Sequence, residues 1–322
     1  MKKFFGRMAM VCALAAMMVT AGLAGEGGIP DQKDLIKPIN KELTFVFIPK
    51  VVHPWYDIVR DGAEFAAAEF KQRGITINVK FDAPPVAELS DHMKKIESWI
   101  GVRPDGIAVA CIDPNGDTPV IDEAIAAGLN VITFDTDAPE SKRPLYVGHD
   151  RDYEDGYEIA DVLAEKLGKK GKIAILSGTL TAPNHVGRVK GFKAGLEKYP
   201  DMKVVFERPD NDDLQKAVEL TENALQAHSD LAAVFCCNAS NPVGAAYAVK
   251  SAGLAGKVVI AGTNVLPETY DLIREGTIQI CKAQRQWEAG YWSVYYLVAM
   301  NQGHTIPAEH QTGSRFLYAK DL

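Results

Sequence analysis

A set of polar and aromatic side chains falls where short apolar runs end, and its make-up points to hydrogen bonding rather than to bond breaking. Lys50, His53, Trp55 and Tyr56 follow the first run, and Asp135, Thr136 and Asp137 follow the fourth. Asn184, His185 and Arg188 come next, then Asn238, then Thr263 with Asn264, and last Gln284. Carboxylates and amides can engage two vicinal hydroxyls at once, while an indole or phenol ring covers the apolar C–H face of a sugar. A phosphate would call for more cations or a Gly-rich nest. The set suits a polyhydroxylated ligand. Each member also has a structural alternative: Trp55 as a staple at a helix start, Asp135 as a turn cap, Asn184 and His185 as caps of the following helix. Lys50 has one as a solvated loop cation, and Arg188 as an exposed helix residue.

Catalytic signatures are missing. The chain has no G-x-G-x-x-G behind a strand, no P-loop, no G-x-S-x-G and no H-E-x-x-H. Its seven histidines show no metal-ligand spacing. Asp135 and Asp137 could do acid–base work, yet no nucleophile accompanies them. No catalytic residue, metal or cofactor is expected. A secreted sugar-modifying hydrolase remains the enzyme alternative, recognisable by product formation.

These residues need a scaffold of strands and helices. Apolar runs bounded by turn residues lie at 44–48, 75–81, 106–110, 130–134, 145–147, 172–176, 203–206, 231–235, 257–261 and 277–281. Between most of them runs a helical period: in 55–70, Ile58, Ala66 and Phe70 share a face, while Asp61 and Glu64 point outward. Gly74, Gly128, Gly168 and Gly253 end helices. Such alternation implies right-handed crossovers and mostly parallel α/β sheets, with ligands at the carboxyl ends of strands. Ten strands exceed one comfortable sheet, so two lobes are expected, with no Gly/Ser- or Pro-rich linker between them. Asp113-Pro114-Asn115-Gly116 reads as a turn. Asp210, Asp212 and Asp213 read as a solvated loop and helix start, and Trp287 and Trp292 as core.

The chain has 322 residues, 47% of them hydrophobic, a mean hydropathy of −0.08 and a net charge of −7. A mildly acidic chain without a basic stripe is a poor partner for nucleic acid or an anionic membrane. Lys2, Lys3 and Arg7 precede an apolar run from Met8 to Leu23, with Gly22 and Ala24 at the small-residue positions of a cleavage site. The run is shorter than the roughly 20 residues that span a bilayer. Residues 1–24 are therefore expected to be a signal peptide cleaved near Ala24. The mature chain would be an exported, more acidic protein not inserted in a membrane. Cys12 sits in the apolar run without a lipoprotein pattern. Cys111, Cys236, Cys237 and Cys281 lie in or beside apolar runs and read as buried thiols, with a bridge from Cys281 to one of the vicinal pair left open.

The export signal, "TFVFIPKVVHPWYDIVRDGAEFAAAE", "GLNVITFDTD", "VGRVKGFKAGL", "AVFCCNASNPVGAA" and "VVIAGTN" together resemble the ribose-type periplasmic sugar-binding proteins of ABC transporters. The resemblance runs from about Leu43 to Gly303. It implies the type I periplasmic binding protein fold: two Rossmann-like lobes with parallel sheets joined by a three-strand hinge, closing over a sugar or polyol. The lobes would be 42–149 with 285–312, and 150–284 with 313–322. It implies a monomer in the periplasm that delivers its ligand to an ABC permease. It also implies roles for single residues: His53 as a polar contact, Trp55 and Tyr56 as the stacking pair, and Asp135 as the hydroxyl acceptor. Arg188, Asn238 and Gln284 would be further contacts. Thr136 stands where ribose binders carry Arg, and Asn264 where they carry Asp. The same fold serves LacI-type repressors, but no helix-turn-helix precedes the core. "FIPK" and "TFDTD" are also similar to the autoinducer-2-binding proteins, in which Lys50 and Asp135 would hold the ligand. Asn184, His185 and the Cys236–Asn238 segment depart from that pattern. A sensory receptor protein for autoinducer-2 or sugar is the resulting alternative.

Overall fold

A computed structural model describes residues 37–322. The expected signal peptide, its cleavage near Ala24, and Cys12 lie outside the described residues. In the first sheet the strands are β1 (Leu43–Ile48), β2 (Ile77–Phe81), β3 (Gly106–Val109), β4 (Val131–Asp135), β5 (Tyr146–Gly148) and β11 (Glu309–Gln311). The second has β6 (Lys170–Leu176), β7 (Asp201–Arg208), β8 (Leu231–Cys236), β9 (Val259–Thr263), β10 (Ile280–Gln284) and β12 (Ser314–Leu317). Every run read from the sequence as a strand forms one. The central strands β1, β3, β4, β8 and β9 are buried on both faces, as a parallel sheet covered by helices requires.

Strand order is β11-β5-β4-β3-β1-β2 in one sheet and β12-β10-β9-β8-β6-β7 in the other. All neighbours run parallel except β10 and β12. Each sheet repeats the doubly wound order 2-1-3-4-5, whose switch point lies between the first and third strands. The chain passes from the first sheet to the second after β5 and returns after β10, in helix α9 (Gln286–Gln302). It passes over once more between β11 and β12. Ile39–Leu322 forms one compact unit.

The helices are α1 (Trp55–Gln72), α2 (Leu89–Val102), α3 (Pro114–Ala126), α4 (Asp152–Leu167), α5 (Pro183–Leu196), α6 (Leu214–Ala227), α7 (Ser240–Ser251), α8 (Pro267–Arg274) and α9. Gly168 caps α4 with φ 64°. Two helix pairs pack through facing glycines. A Cβ on Gly62 of α1 would lie 1.9 Å from Trp287 O, and one on Gly290 of α9 would lie 1.9 Å from Val59 O. Likewise a Cβ on Gly156 of α4 would lie 2.0 Å from Arg188 O, and one on Gly191 of α5 would lie 1.8 Å from Tyr153 O. Only glycine permits this approach, and it fixes α1, which carries Trp55 and Tyr56, and α5, which carries Asn184, His185 and Arg188.

Some local readings change. Asp113-Pro114-Asn115-Gly116 opens α3 instead of forming a free turn: Asp113 accepts the Gly116 N–H at 2.7 Å, and Pro114 occupies the first helical position. Trp287 is 36% exposed, on a ridge with Phe65 and Tyr291, because it lies on the outward side of α9. Cys111, Cys236, Cys237 and Cys281 are buried free thiols, and burial pushes the Cys281 thiol up to about 12. Among the described residues no helix is long and apolar enough to cross a membrane. No group of three or more His, Cys, Asp or Glu among them stands where it could hold a metal ion.

Candidate functional site

Both switch points open onto one cavity. It is lined by Lys50, Val51, His53, Trp55 and Tyr56 from β1 and its loop into α1, and by Asp135 at the end of β4. Asn184, His185 and Arg188 of α5, Asp212, Asn238, Ala239 and Asn264 form the other wall. The space between these atoms, open mouth included, is about 380 Å³.

The first wall is organised around Asp135. Its Oδ2 accepts the Tyr56 hydroxyl at 2.8 Å and lies 3.4 Å from Lys50 Nζ; its backbone oxygen accepts from Tyr146 at 2.8 Å. Burial, then Asp135, raises the Tyr56 pKa well above its usual value, so this hydroxyl stays a donor. Asp135 has φ 59°, a left-handed conformation that Asp and Asn tolerate better than other side chains. Asn264, just beyond β9, has φ 64°. The fourth strand of each sheet thus ends in the same way. Asn264 Oδ1 accepts the Gln284 N–H at 3.2 Å.

Both cavity histidines are held as one tautomer. His53 Nδ1 accepts the Trp55 N–H at 3.1 Å, satisfying the first donor of α1, and His185 Nδ1 accepts the Thr179 N–H at 3.0 Å. Each ring therefore keeps its proton on Nε2. His53 donates it to Ser240 Oγ at 2.9 Å, a bond from a first-sheet loop to α7 of the second. Burial lowers both pKa values, that of His185 to about 4.

The second wall turns on Arg188. Its Nε donates to Asp152 Oδ1 at 2.9 Å and its Nη1 to Cys237 O at 2.9 Å. Nη2 is 2.8 Å from the same Asp152 oxygen but off the hydrogen-bond direction, so it is buried without a hydrogen-bond partner. Burial raises the Asp152 pKa to about 6 against the opposing pull of Arg188. Trp55 Nε1 and Asn184 Oδ1 are likewise buried without partners. Two donors and one acceptor around a cavity are what a hydroxylated ligand would satisfy.

Two expected contacts lie elsewhere. Thr136 is 4% exposed and donates to Cys111 O at 2.8 Å, so its hydroxyl ties β4 to the β3 loop and does not line the cavity. Gln284, at the end of β10, borders an adjoining space with Trp55 and Asp135, and its Nε2 is 3.4 Å from Asp152 Oδ1. It supports Asp152 from behind. Asn238 lines the cavity but uses Oδ1 on Asn241 N at 2.9 Å and Nδ2 on Asp210 Oδ2 at 3.1 Å.

The acids after Pro209 are not solvated, apart from Asp213, which caps α6 by accepting the Lys216 N–H at 2.8 Å. Asp210 is 1% exposed and accepts the Gly178 N–H at 2.9 Å. Asp212 lines the cavity and accepts from Thr179 Oγ1 at 3.1 Å. Burial would raise its pKa, but His185, Lys50, His53 and the Thr179 bond hold it below the usual value. The only signal for it in the sequence is its place after a strand on the same edge of the sheet as Asn184 and Asn238.

The His185 pKa gives a pH prediction. The unfolded chain binds a proton near pH 6.5, whereas the folded site resists it until about 4. Stability from this residue is therefore present above pH 6.5 and lost as the pH falls between those values. Chemical unfolding of the parent and of His185→Gln should show the parent losing, relative to the variant, on the order of 2 kcal/mol between pH 7 and 5. A constant difference would contradict a buried neutral imidazole.

The chain belongs to the family described as the periplasmic binding protein domain, whose model matches residues 45–305. It is a family of binding proteins. Among its relatives, the D-allose-binding periplasmic protein of Escherichia coli is 24% identical over 273 residues, 82% of this chain and 86% of that protein. A ribose import binding protein of Bacillus subtilis is 28% identical over 222 residues, 67% of this chain and 70% of the relative. Among solved structures, an ABC transporter solute-binding protein from Burkholderia graminis in complex with D-arabinose superposes with a TM-score of 0.82 at 29% identity. That match covers 88% of this chain and 98% of the other. The fold is that of the type I periplasmic binding proteins.

Proposed function

We propose that this chain is an exported solute-binding protein that captures a sugar or polyol between two lobes and delivers it to an ABC permease. The observation that carries the reading is the trio of unpartnered buried atoms, Trp55 Nε1, Arg188 Nη2 and Asn184 Oδ1, around a cavity edged by the Trp55 and Tyr56 rings. Relatives named for D-allose and ribose, and a neighbour holding D-arabinose, support the same ligand class. The lobes are 42–149 with 285–312 and 150–284 with 313–322, and the three chain passages between the sheets form the hinge. Opening breaks the His53–Ser240 bond; ligand stabilises the closed population. Residues 1–24 direct export to the periplasm, where the mature monomer acts without catalysis.

A second reading, reception of autoinducer-2 for sensing, is favoured by one observation, the Lys50–Asp135 contact at 3.4 Å. A thermal-shift panel of pentoses, hexoses, polyols and autoinducer-2 separates the two. Ligand at about a thousand times its dissociation constant adds about 4 kcal/mol, which is several degrees in melting temperature. A sugar or polyol is expected to give the largest shift. A shift with an amino acid or inorganic anion alone would reject the sugar reading.

A further inference from the structure

The ionic groups of the cavity are unevenly committed. Lys50 lies 3.4 Å from Asp135, and Arg188 is engaged by Asp152 and Cys237 O. Asp212 has a free oxygen: Oδ2 accepts from Thr179, but Oδ1 is 3.6 Å from His185 Nε2, too far for a hydrogen bond. The indole and phenol of the cavity, Trp55 and Tyr56, both come from the first wall, so the wall bearing Asp212 meets the polar face of the ligand. A wider groove of about 970 Å³ shares Asp135 and Asn184 with the cavity. Its lining includes Asp135, Asp137, Asp150, Asp152 and Glu309 but neither Lys nor Arg.

We propose that Asp212 sets the charge of the ligand: its free oxygen accepts hydroxyl protons of a neutral sugar and, with the acidic groove, excludes sugar acids and sugar phosphates. This rests on the sugar reading and goes beyond it by fixing the charge of the ligand. Asp135, Asp137 and Asp152 are paired with Lys50, Arg143 and Arg188, but Asp150 and Glu309 have no ion pair among the described residues, so a carboxylate or phosphate entering by the groove meets a net negative field, which lowers its local concentration. Once inside, it faces Asp212, while the cations of the cavity already have carboxylate partners, Lys50 beside Asp135 and Arg188 beside Asp152, and offer it only the one free Arg188 Nη2 donor.

The test is titration calorimetry with two matched pairs, D-ribose with D-ribose 5-phosphate and D-galactose with D-galacturonate, on the parent, Asp212→Asn and Asp135→Asn. Circular dichroism checks folding, and Asp212→Ala replaces the Asn variant if that fails to fold. The parent is expected to bind the neutral member of at least one pair, and its acid at least 100-fold more weakly. Asp212→Asn exchanges a charge-assisted bond for a neutral one. It should weaken neutral binding about tenfold and narrow the neutral-to-acid ratio at least tenfold. Equal binding of sugar and acid by the parent overturns the inference. So does an unchanged ratio in Asp212→Asn, even where Asp135→Asn abolishes binding and the sugar reading stands. If the parent binds neither neutral sugar, the sugar or polyol with the largest thermal shift and its own acid or phosphate replace the two pairs, and the same ratios decide.

Discussion

Asp135→Ala is expected to weaken binding of the sugar by about one to two decades while the protein still folds. The carboxylate holds the Tyr56 hydroxyl at 2.8 Å and lies beside Lys50. Removing it leaves ligand hydroxyls unpaired in a largely dry site, a loss of roughly 1.5–3 kcal/mol. Asp135 has φ 59°, so alanine there adds a strain of about 1 kcal/mol that does not depend on ligand. Asp135→Asn, which tolerates the same backbone, separates the two effects. Thr118→Ala is the control: its hydroxyl bonds Pro114 O within α3 and faces no ligand. Calorimetry on the three variants checks this; unchanged affinity in Asp135→Ala would remove the residue from the site.

Arg188→Ala should lower both stability and affinity. Arg188 is 1% exposed and pairs with Asp152, so removing it leaves a largely enclosed carboxylate without its cation. Breaking such a pair costs about 3–5 kcal/mol. Asp152 already titrates near 6 in the parent, and without the guanidinium its pKa rises further. At low pH it takes up a proton and the penalty falls. Urea unfolding should therefore show the parent-to-variant gap shrinking from pH 7 to 5, and Asp152→Asn should recover much of it in the double variant. A gap of under about 0.5 kcal/mol at pH 7 would mean that the pair does not organise the second wall.

The fold was legible because parallel strands covered on both faces read as apolar runs, and glycines mark where helices stop. The strand ends picked out residues that the fold brings together, since Lys50, His53, Trp55, Tyr56, Asp135, Asn184, His185, Arg188, Asn238 and Asn264 all border one cavity. Thr136 shows the limit of that logic: after the left-handed turn at Asp135 the next side chain points inward to Cys111 O. Asp212 shows the converse. A run rich in acids reads as solvated, but positive φ at Asn211 (56°) and Asp212 (63°) turns the carboxylate into the cavity. Asn and Asp tolerate such a turn, but they are as much at home in solvated loops, so their presence does not announce it. Trp287 failed for a similar reason, because α9 is aromatic on several sides and the period does not select its buried face.

The central claim is that one sugar sits between the two walls. It is tested most directly by the crystal structure of the protein grown with the sugar that gives the largest thermal shift. The expected result is a single sugar with its C–H face against Trp55, hydroxyls within hydrogen-bond distance of Asp135 and Arg188 Nη2, and the His53–Ser240 bond intact. A sugar seated instead in the separate groove lined by Trp287, Arg285 and Arg315, with this cavity holding only water, would contradict the account.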